Sequence, residues 1–178
     1  SFTWNTLHEV GHAVDDANNF MGRFGSGGDY GGWRDHKNDV SEVAAEISKQ
    51  YKFDRGYAAR YLGGTKEPEI PPPTDGVDAG EWENRRLQVR RHIDEARVGN
   101  QPWQAAGRAQ RLKLDSGRVY HEAYPNHWVS YELNARKQAI TGYQWRAPGE
   151  WFSELYAAYR SDKLKNESHP AVKWLSDL

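Results

Sequence analysis

The chain has 178 residues, the length of one ordinary domain, and we expect residues 1–178 to form a single domain. Its formal net charge of −1 gives no general electrostatic reason to expect a nucleic acid or an anionic membrane as partner. Because it has no cysteine, disulfides and thiolate metal sites are excluded, and any metal must be held by His, Asp or Glu. No apolar run approaches the roughly 20 residues that span a bilayer.

The first half of the chain predicts helices separated by glycine-rich or proline-rich segments. Apolar spacing predicts a helix over residues 3–21, capped by Thr3 or Thr6, and the glycines of residues 21–32 predict a loop that ends it. Two further helices are predicted over 38–51 and 54–64. Three consecutive prolines within residues 65–80 predict that this segment is an extended loop or linker.

The second half predicts helices around a short hairpin. Residues 81–98 are predicted to form an amphipathic helix. We expect its arginines to pair with nearby acidic residues rather than with phosphates. Residues 117–133 alternate and are aromatic, which predicts one or two strands around a turn at Pro125 and Asn126. Residues 147–164 predict a helix with Pro148 at its first position. The predicted class is therefore mainly α (α+β), with a short β hairpin.

The sequence HEVGH at residues 8–12 is the strongest chemical motif. Positions four apart lie on one face of a helix, so His8 and His12 can direct ring nitrogens at one point. Glu9 projects beside that point, where it can accept a proton from water. The pattern is typical of zinc peptidases, although a plain helix with surface histidines also produces it.

A catalytic zinc site needs a third protein ligand. The next helical turns carry Asp15 and Asn18 where a metzincin has glycine and histidine, so that class is excluded. The segment GEWFSEL instead offers Glu150 and Glu154, four apart on one face of an otherwise aromatic helix, where buried carboxylates need partners. Periodicity does not separate the two glutamates.

HEVGHAVDD, together with a tyrosine seven residues before EWFSE, resembles the catalytic domain of anthrax lethal factor and related bacterial toxin metallopeptidases, which are gluzincins of zincin fold. The resemblance implies a zinc-dependent endopeptidase acting on a protein or peptide substrate. It implies that Glu150 is the third zinc ligand, that Glu154 supports a ligand histidine and that Tyr143 stabilises the oxyanion. It also implies a secreted bacterial toxin, or an effector delivered into a target cell.

The chain departs from this family in two respects. Glu150 follows His12 by 138 positions, several-fold more than in the family, so we expect a long helical insertion between the zincin-like helices. Zincins also place a sheet before the HExxH helix, and here residues 117–124 are a candidate substitute for its substrate-binding edge strand. An upstream proregion or delivery domain is another expectation. Two alternatives remain open: a zinc-bearing binding module without turnover, and a metal-free helical adaptor.

Overall fold

The computed structural model describes residues 3–164 and 169–178. Over these residues the chain is mainly helical with one small antiparallel sheet, which confirms the predicted class. Its α-helices are α1 Trp4–Asn18, α2 Phe20–Phe24, α3 Ser41–Tyr51, α4 Arg55–Gly63, α5 Ala79–Glu95, α6 Ala106–Leu112, α7 Pro148–Arg160 and α8 Ala171–Leu175. Its strands are β1 Arg34–Lys37, β2 Arg118–Tyr124 and β3 His127–Glu132.

The first helix is shorter than predicted. Thr3 caps α1, since its side chain accepts the Thr6 backbone N–H, but α1 ends at Asn18 because Asn19 adopts a left-handed conformation with φ of 47°. The chain then restarts as α2, so the single helix over 3–21 is wrong at its C-terminal end. The glycine-rich loop prediction is wrong over the same turn, because α2 extends to Phe24.

The other predicted helices lie close to their expected positions. α3, α4 and α7 fall within the predicted ranges, and Pro148 begins α7 as expected. Residues 65–78 contain no helix or strand, and Asp78 caps α5 by accepting two backbone N–H groups. Among the described residues, no helix is both long and apolar enough to cross a bilayer.

The arginines of α5 are mostly paired, as predicted. Among the acidic residues of α5, Glu95 differs because it pairs with Arg111 of α6 rather than with an arginine of α5. The ion pairs on this face join Arg85 to Glu81, Arg86 to Glu83 and Glu67, and Arg90 to Glu67 and Asp94.

The sheet has the strand order β1-β3-β2, with both pairs antiparallel. β2 and β3 form the predicted hairpin, and its turn contains Pro125 and Asn126, the latter with φ of 57°. The edge strand β1 was not predicted, because Arg34–Lys37 is polar throughout and shows no alternation of apolar and polar residues. The helix α6 was also not predicted.

α1 packs closely along α7, and this contact joins the two ends of the sequence. Gly11 permits the approach, since a Cβ atom there would lie 2.9 Å from the Ser153 Cα atom. The buried cluster around these helices and the sheet is aromatic, as the composition suggests. Its largest fully buried members include Trp128, Trp145, Tyr57, Tyr120, Tyr131 and Phe152.

Candidate metal centre

The α1–α7 contact brings together the four residues that the motif and the aromatic helix contribute. His8 and His12 lie one turn apart on α1, and Glu150 and Glu154 lie one turn apart on α7. Because Gly11 and Ser153 occupy the contact between them, the two pairs face each other across a narrow helix interface. The two pairs, each spaced by one helical turn, therefore form one cluster of four side chains.

Three of these side chains converge on one point. His8 Nε2 lies 2.9 Å from Glu150 Oε2, and His12 Nε2 lies 3.0 Å from Glu150 Oε1. The two Nε2 atoms are 3.1 Å apart. Candidate ligand atoms from His8, His12 and Glu150 all lie within 4.8 Å of one another, which is the set predicted as metal ligands.

Glu154 fixes the orientation of His8. Its Oε2 lies 2.9 Å from His8 Nδ1 and accepts the Trp4 indole N–H at 2.7 Å, while its Oε1 accepts the Thr141 hydroxyl at 2.9 Å. A carboxylate that accepts from these donors places the proton of a neutral imidazole on Nδ1. The lone pair of His8 Nε2 then points toward Glu150.

This arrangement has the properties of a cation site. Glu150 is 9% exposed at its side chain, and its buried Oε2 makes no hydrogen bond within the described chain although His8 Nε2 is 2.9 Å away. A lone pair facing a carboxylate oxygen is repulsive unless a proton or a metal ion lies between them. The two short contacts involve different oxygens of Glu150, and with one ligand atom taken from each residue the three atoms lie within 4.8 Å of one another. Two imidazoles and one carboxylate are the donor types that zinc takes at catalytic sites.

Two tyrosines approach Glu150 from different segments. The predicted Tyr143 lies in a 3₁₀ turn before α7, with its ring centroid 5.8 Å from that of His8. Tyr124, which sequence reasoning missed, ends β2 and donates its hydroxyl to Glu150 Oε1 at 3.3 Å. Burial, reinforced by the charge of Glu150, raises the pKa of Tyr124 to about 12 and also raises the pKa of Tyr143. Both phenols are therefore protonated donors near neutral pH.

Glu9 lies at the open side of the cluster. It is exposed and lines a hollow of about 320 Å³ together with His8 and Tyr143. This position is accessible to water. A separate hollow of about 430 Å³, bordered by Trp145 and Trp151, contains none of the predicted site residues, so we assign the site from its chemistry rather than from cavity size.

Strand β2, the predicted substitute for the substrate-binding edge strand, reaches the site, but its backbone there is already hydrogen-bonded to other parts of the chain. β2 ends at Tyr124, beside Glu150. On its outer side, the Glu122 N–H donates to the Ala96 carbonyl, and the Ala123 carbonyl accepts from Arg146. The polar strand β1 forms the opposite edge of the sheet.

Three histidines outside the cluster, His36, His121 and His127, have other partners. His121 is fully buried, lies 2.7 Å from the Arg146 carbonyl, and has its pKa lowered to about 4 by burial. His127 pairs with Asp35, and His36 contacts Ser130 rather than a residue of the candidate metal centre.

Asp15, near the end of α1, accepts the Met21 backbone N–H at 2.9 Å and so anchors α2.

Sequence reasoning missed three partners of the glutamates. Trp4 precedes His8 by one helical turn, and that spacing on the same face is a signal that could have identified it. Thr141 and Tyr124 carry no such signal, because a loop and a hairpin end bring them to α7 only through the tertiary fold.

Comparisons of the chain with protein-family models, curated proteins and solved structures give no significant match.

Proposed function

We propose that the chain is a zinc-dependent peptidase that hydrolyses internal peptide bonds of a protein substrate. The observation that carries this proposal is the convergence of His8 Nε2, His12 Nε2 and Glu150 on one point, with the remaining nitrogen of His8 held by Glu154. A histidine ligand whose second nitrogen is held by a carboxylate is the usual arrangement in zinc proteins. The zincin-like character of α1 and α7 is part of this proposal.

The chain's own residues have distinct roles in the proposed reaction. When bound, zinc supplies Lewis acidity that acidifies water and polarises a carbonyl group. Glu9 accepts the proton of the attacking water and returns it to the leaving amine. The Tyr143 hydroxyl donates a hydrogen bond to the developing oxyanion. Glu154 orients His8, and Tyr124 orients Glu150 through its hydroxyl.

The biological setting is proposed on the resemblance to bacterial toxin metallopeptidases. In this proposal the chain acts as a secreted toxin or as an effector that cleaves a protein of a target cell. The exposed position of Glu9 beside an open hollow supports access by a peptide segment.

Metal analysis and a cleavage assay test the proposal together. Purified protein is expected to contain about one zinc per chain and to cleave peptides. Glu9→Gln is expected to retain zinc and lose cleavage, whereas His8→Ala loses both. Asp16→Asn, at an exposed carboxylate of the same helix, is the matched control and is expected to retain both.

The open alternatives predict different results. Stoichiometric zinc without cleavage of any peptide would indicate the binding module. Protein that binds no zinc and has the same melting temperature with and without a chelator would indicate the metal-free adaptor. Cleavage that survives Glu9→Gln would contradict the proposed proton transfer.

A further inference from the structure

Arg146 occupies an unusual position at the edge of the candidate metal centre. It lies four residues before Glu150, between the 3₁₀ turn and α7, and its Cζ atom lies 4.3 Å from the ring centroid of Tyr124 and 4.7 Å from that of Trp103. The Tyr143 ring lies 5.8 Å away. The guanidinium is therefore flanked by aromatic rings, two of which belong to the tyrosines beside Glu150.

The charge of Arg146 has no acidic partner among residues 3–164 and 169–178. Its Nε–H donates to the Ala123 carbonyl at 2.9 Å, which fixes the plane of the guanidinium. Arg97 and Arg136 are also partly buried over aromatic rings without a carboxylate partner among the described residues, but of these three arginines only Arg146 packs on the tyrosines beside Glu150. Aromatic rings stabilise a cation without neutralising it, so Arg146 remains able to bind an anion.

A purely structural role is the alternative. Arg146 joins the end of β2 to the segment before α7, since its Nε–H contacts Ala123 and its backbone carbonyl accepts from His121. This role accounts for the hydrogen bond to Ala123 and for the ring packing. The positive charge strengthens the packing against the rings, but this role leaves the guanidinium without an acidic partner among the described residues.

We propose that Arg146 binds a carboxylate of the substrate and thereby selects the peptide bond to be cleaved. This inference rests on the proposed peptidase function and names its substrate class, a peptide with a carboxylate near the scissile bond. Guanidinium and carboxylate groups form paired, charge-assisted hydrogen bonds, which give both affinity and orientation. The carboxylate belongs either to an acidic side chain or to the C-terminus of the peptide.

The geometry limits where this carboxylate lies in the substrate. Tyr124 links the two sites, because its ring lies under the guanidinium and its hydroxyl reaches Glu150. With standard bond lengths, Arg146 Cζ is therefore within roughly 10 Å of Glu150 Oε1, about the span of three extended residues. The selected carboxylate is expected within about three residues of the cleaved bond.

A peptide library tests the selection directly. The zinc-loaded protein is incubated with random peptides that end in either a free carboxylate or an amide, and products are identified by mass spectrometry. We expect Asp, Glu or a free C-terminus to be enriched about tenfold or more within three residues of the cut. Matched peptides that differ only by Glu→Gln or by C-terminal amidation then show which source is used, with the loss mainly in KM.

Three variants separate charge recognition from structural support. Arg146→Gln is expected to cleave the charged and neutral peptides of each pair alike, whereas Arg146→Lys keeps part of the preference. Arg160→Gln is the matched control, because Arg160 also lies over two tyrosine rings but at the other end of α7. It is expected to keep the full preference. Melting curves identify any variant that fails to fold.

A binding measurement keeps the inference testable without turnover. N-acetylglycine, but not N-acetylglycinamide, is expected to shift the NMR resonance of the Arg146 Nε–H in the zinc-loaded protein. If no peptide is cleaved, the proposed function fails, and this measurement alone decides the role of Arg146. Equal or absent shifts with the two ligands would overturn the inference, as would peptide cleavage with no carboxylate preference or a preference that Arg146→Gln retains.

Discussion

Gly11→Ala tests whether close contact between α1 and α7 builds the candidate metal centre. The added Cβ atom would lie 2.9 Å from Ser153 Cα, 3.2 Å from Tyr156 Cβ and 3.3 Å from Ser153 Cβ. Carbon atoms pack at about 3.5–4.0 Å, so the helices must separate by roughly half an ångström or more. The obstructing Cα atom belongs to a helix backbone and cannot rotate away.

The expected effect is a loss of both stability and metal affinity. Overpacking costs about 1–3 kcal/mol, and the better helix propensity of alanine returns up to about 1 kcal/mol, so the free energy of unfolding falls by about 1–2 kcal/mol. Because His8 and His12 flank Gly11, the same separation moves them away from Glu150. We expect zinc affinity to fall about tenfold, since such sites tolerate displacements of only about 0.5 Å.

Gly107→Ala is the matched control. Gly107 lies within α6, and a Cβ atom there would contact nothing within 4 Å. This substitution is expected to stabilise the protein by about 0.5–1 kcal/mol and to leave zinc affinity unchanged. Urea denaturation of the zinc-free protein and competition with a chromogenic chelator measure the two quantities. A Gly11→Ala protein as stable as the wild type, with unchanged zinc affinity, would refute the close-contact argument.

Three further predictions concern the surroundings of the site and of the core. Glu154→Gln is expected to weaken zinc binding by about 10–100-fold in the same competition assay, because a neutral amide oxygen accepts the His8 Nδ1 proton more weakly than a carboxylate does; unchanged affinity would contradict this. Tyr143→Phe is expected to lower kcat by about 10²-fold with little change in KM, and an unchanged kcat would remove Tyr143 from the mechanism. Burial lowers the pKa values of His92 and His121 to about 4, so the unfolded state binds more protons between pH 4 and 6.5. Stability is therefore expected to fall as the pH drops from 6.5 to 4, by up to about 3 kcal/mol for each histidine, and urea midpoints that stay constant over this range would contradict it.

Residues whose spacing matches a helical turn were predictable. His8 with His12, and Glu150 with Glu154, could each be placed on one helix face from the sequence, and the structure brings the two faces together. The resemblance distinguished Glu150 from Glu154, which periodicity alone could not do. The structure has Glu150 facing both histidines and Glu154 facing only the far nitrogen of His8.

Residues that reach the site through the tertiary fold were not predictable. Tyr124 is one of ten tyrosines, and its place beside Glu150 depends on how the hairpin packs against the start of α7. The polar strand β1 pairs with β3 although its sequence lacks alternation, because backbone hydrogen bonds rather than a buried face hold an edge strand. α2 was missed because a left-handed Asn19 permits a new helix within one residue.

The long connection between the two halves of the site adds little to the free-energy cost of bringing them together. The entropy lost on closing a loop grows only with the logarithm of its length, by about 0.6 kcal/mol for each doubling. The 138 positions between His12 and Glu150 therefore cost only about 1–2 kcal/mol more than a connection several-fold shorter. The connection also contributes buried side chains to the core, and its hairpin supplies Tyr124 to Glu150. A shorter connection without this hairpin would leave Glu150 without the tyrosine hydroxyl and Arg146 without the Tyr124 ring, so the connecting segment is part of the site rather than a spacer.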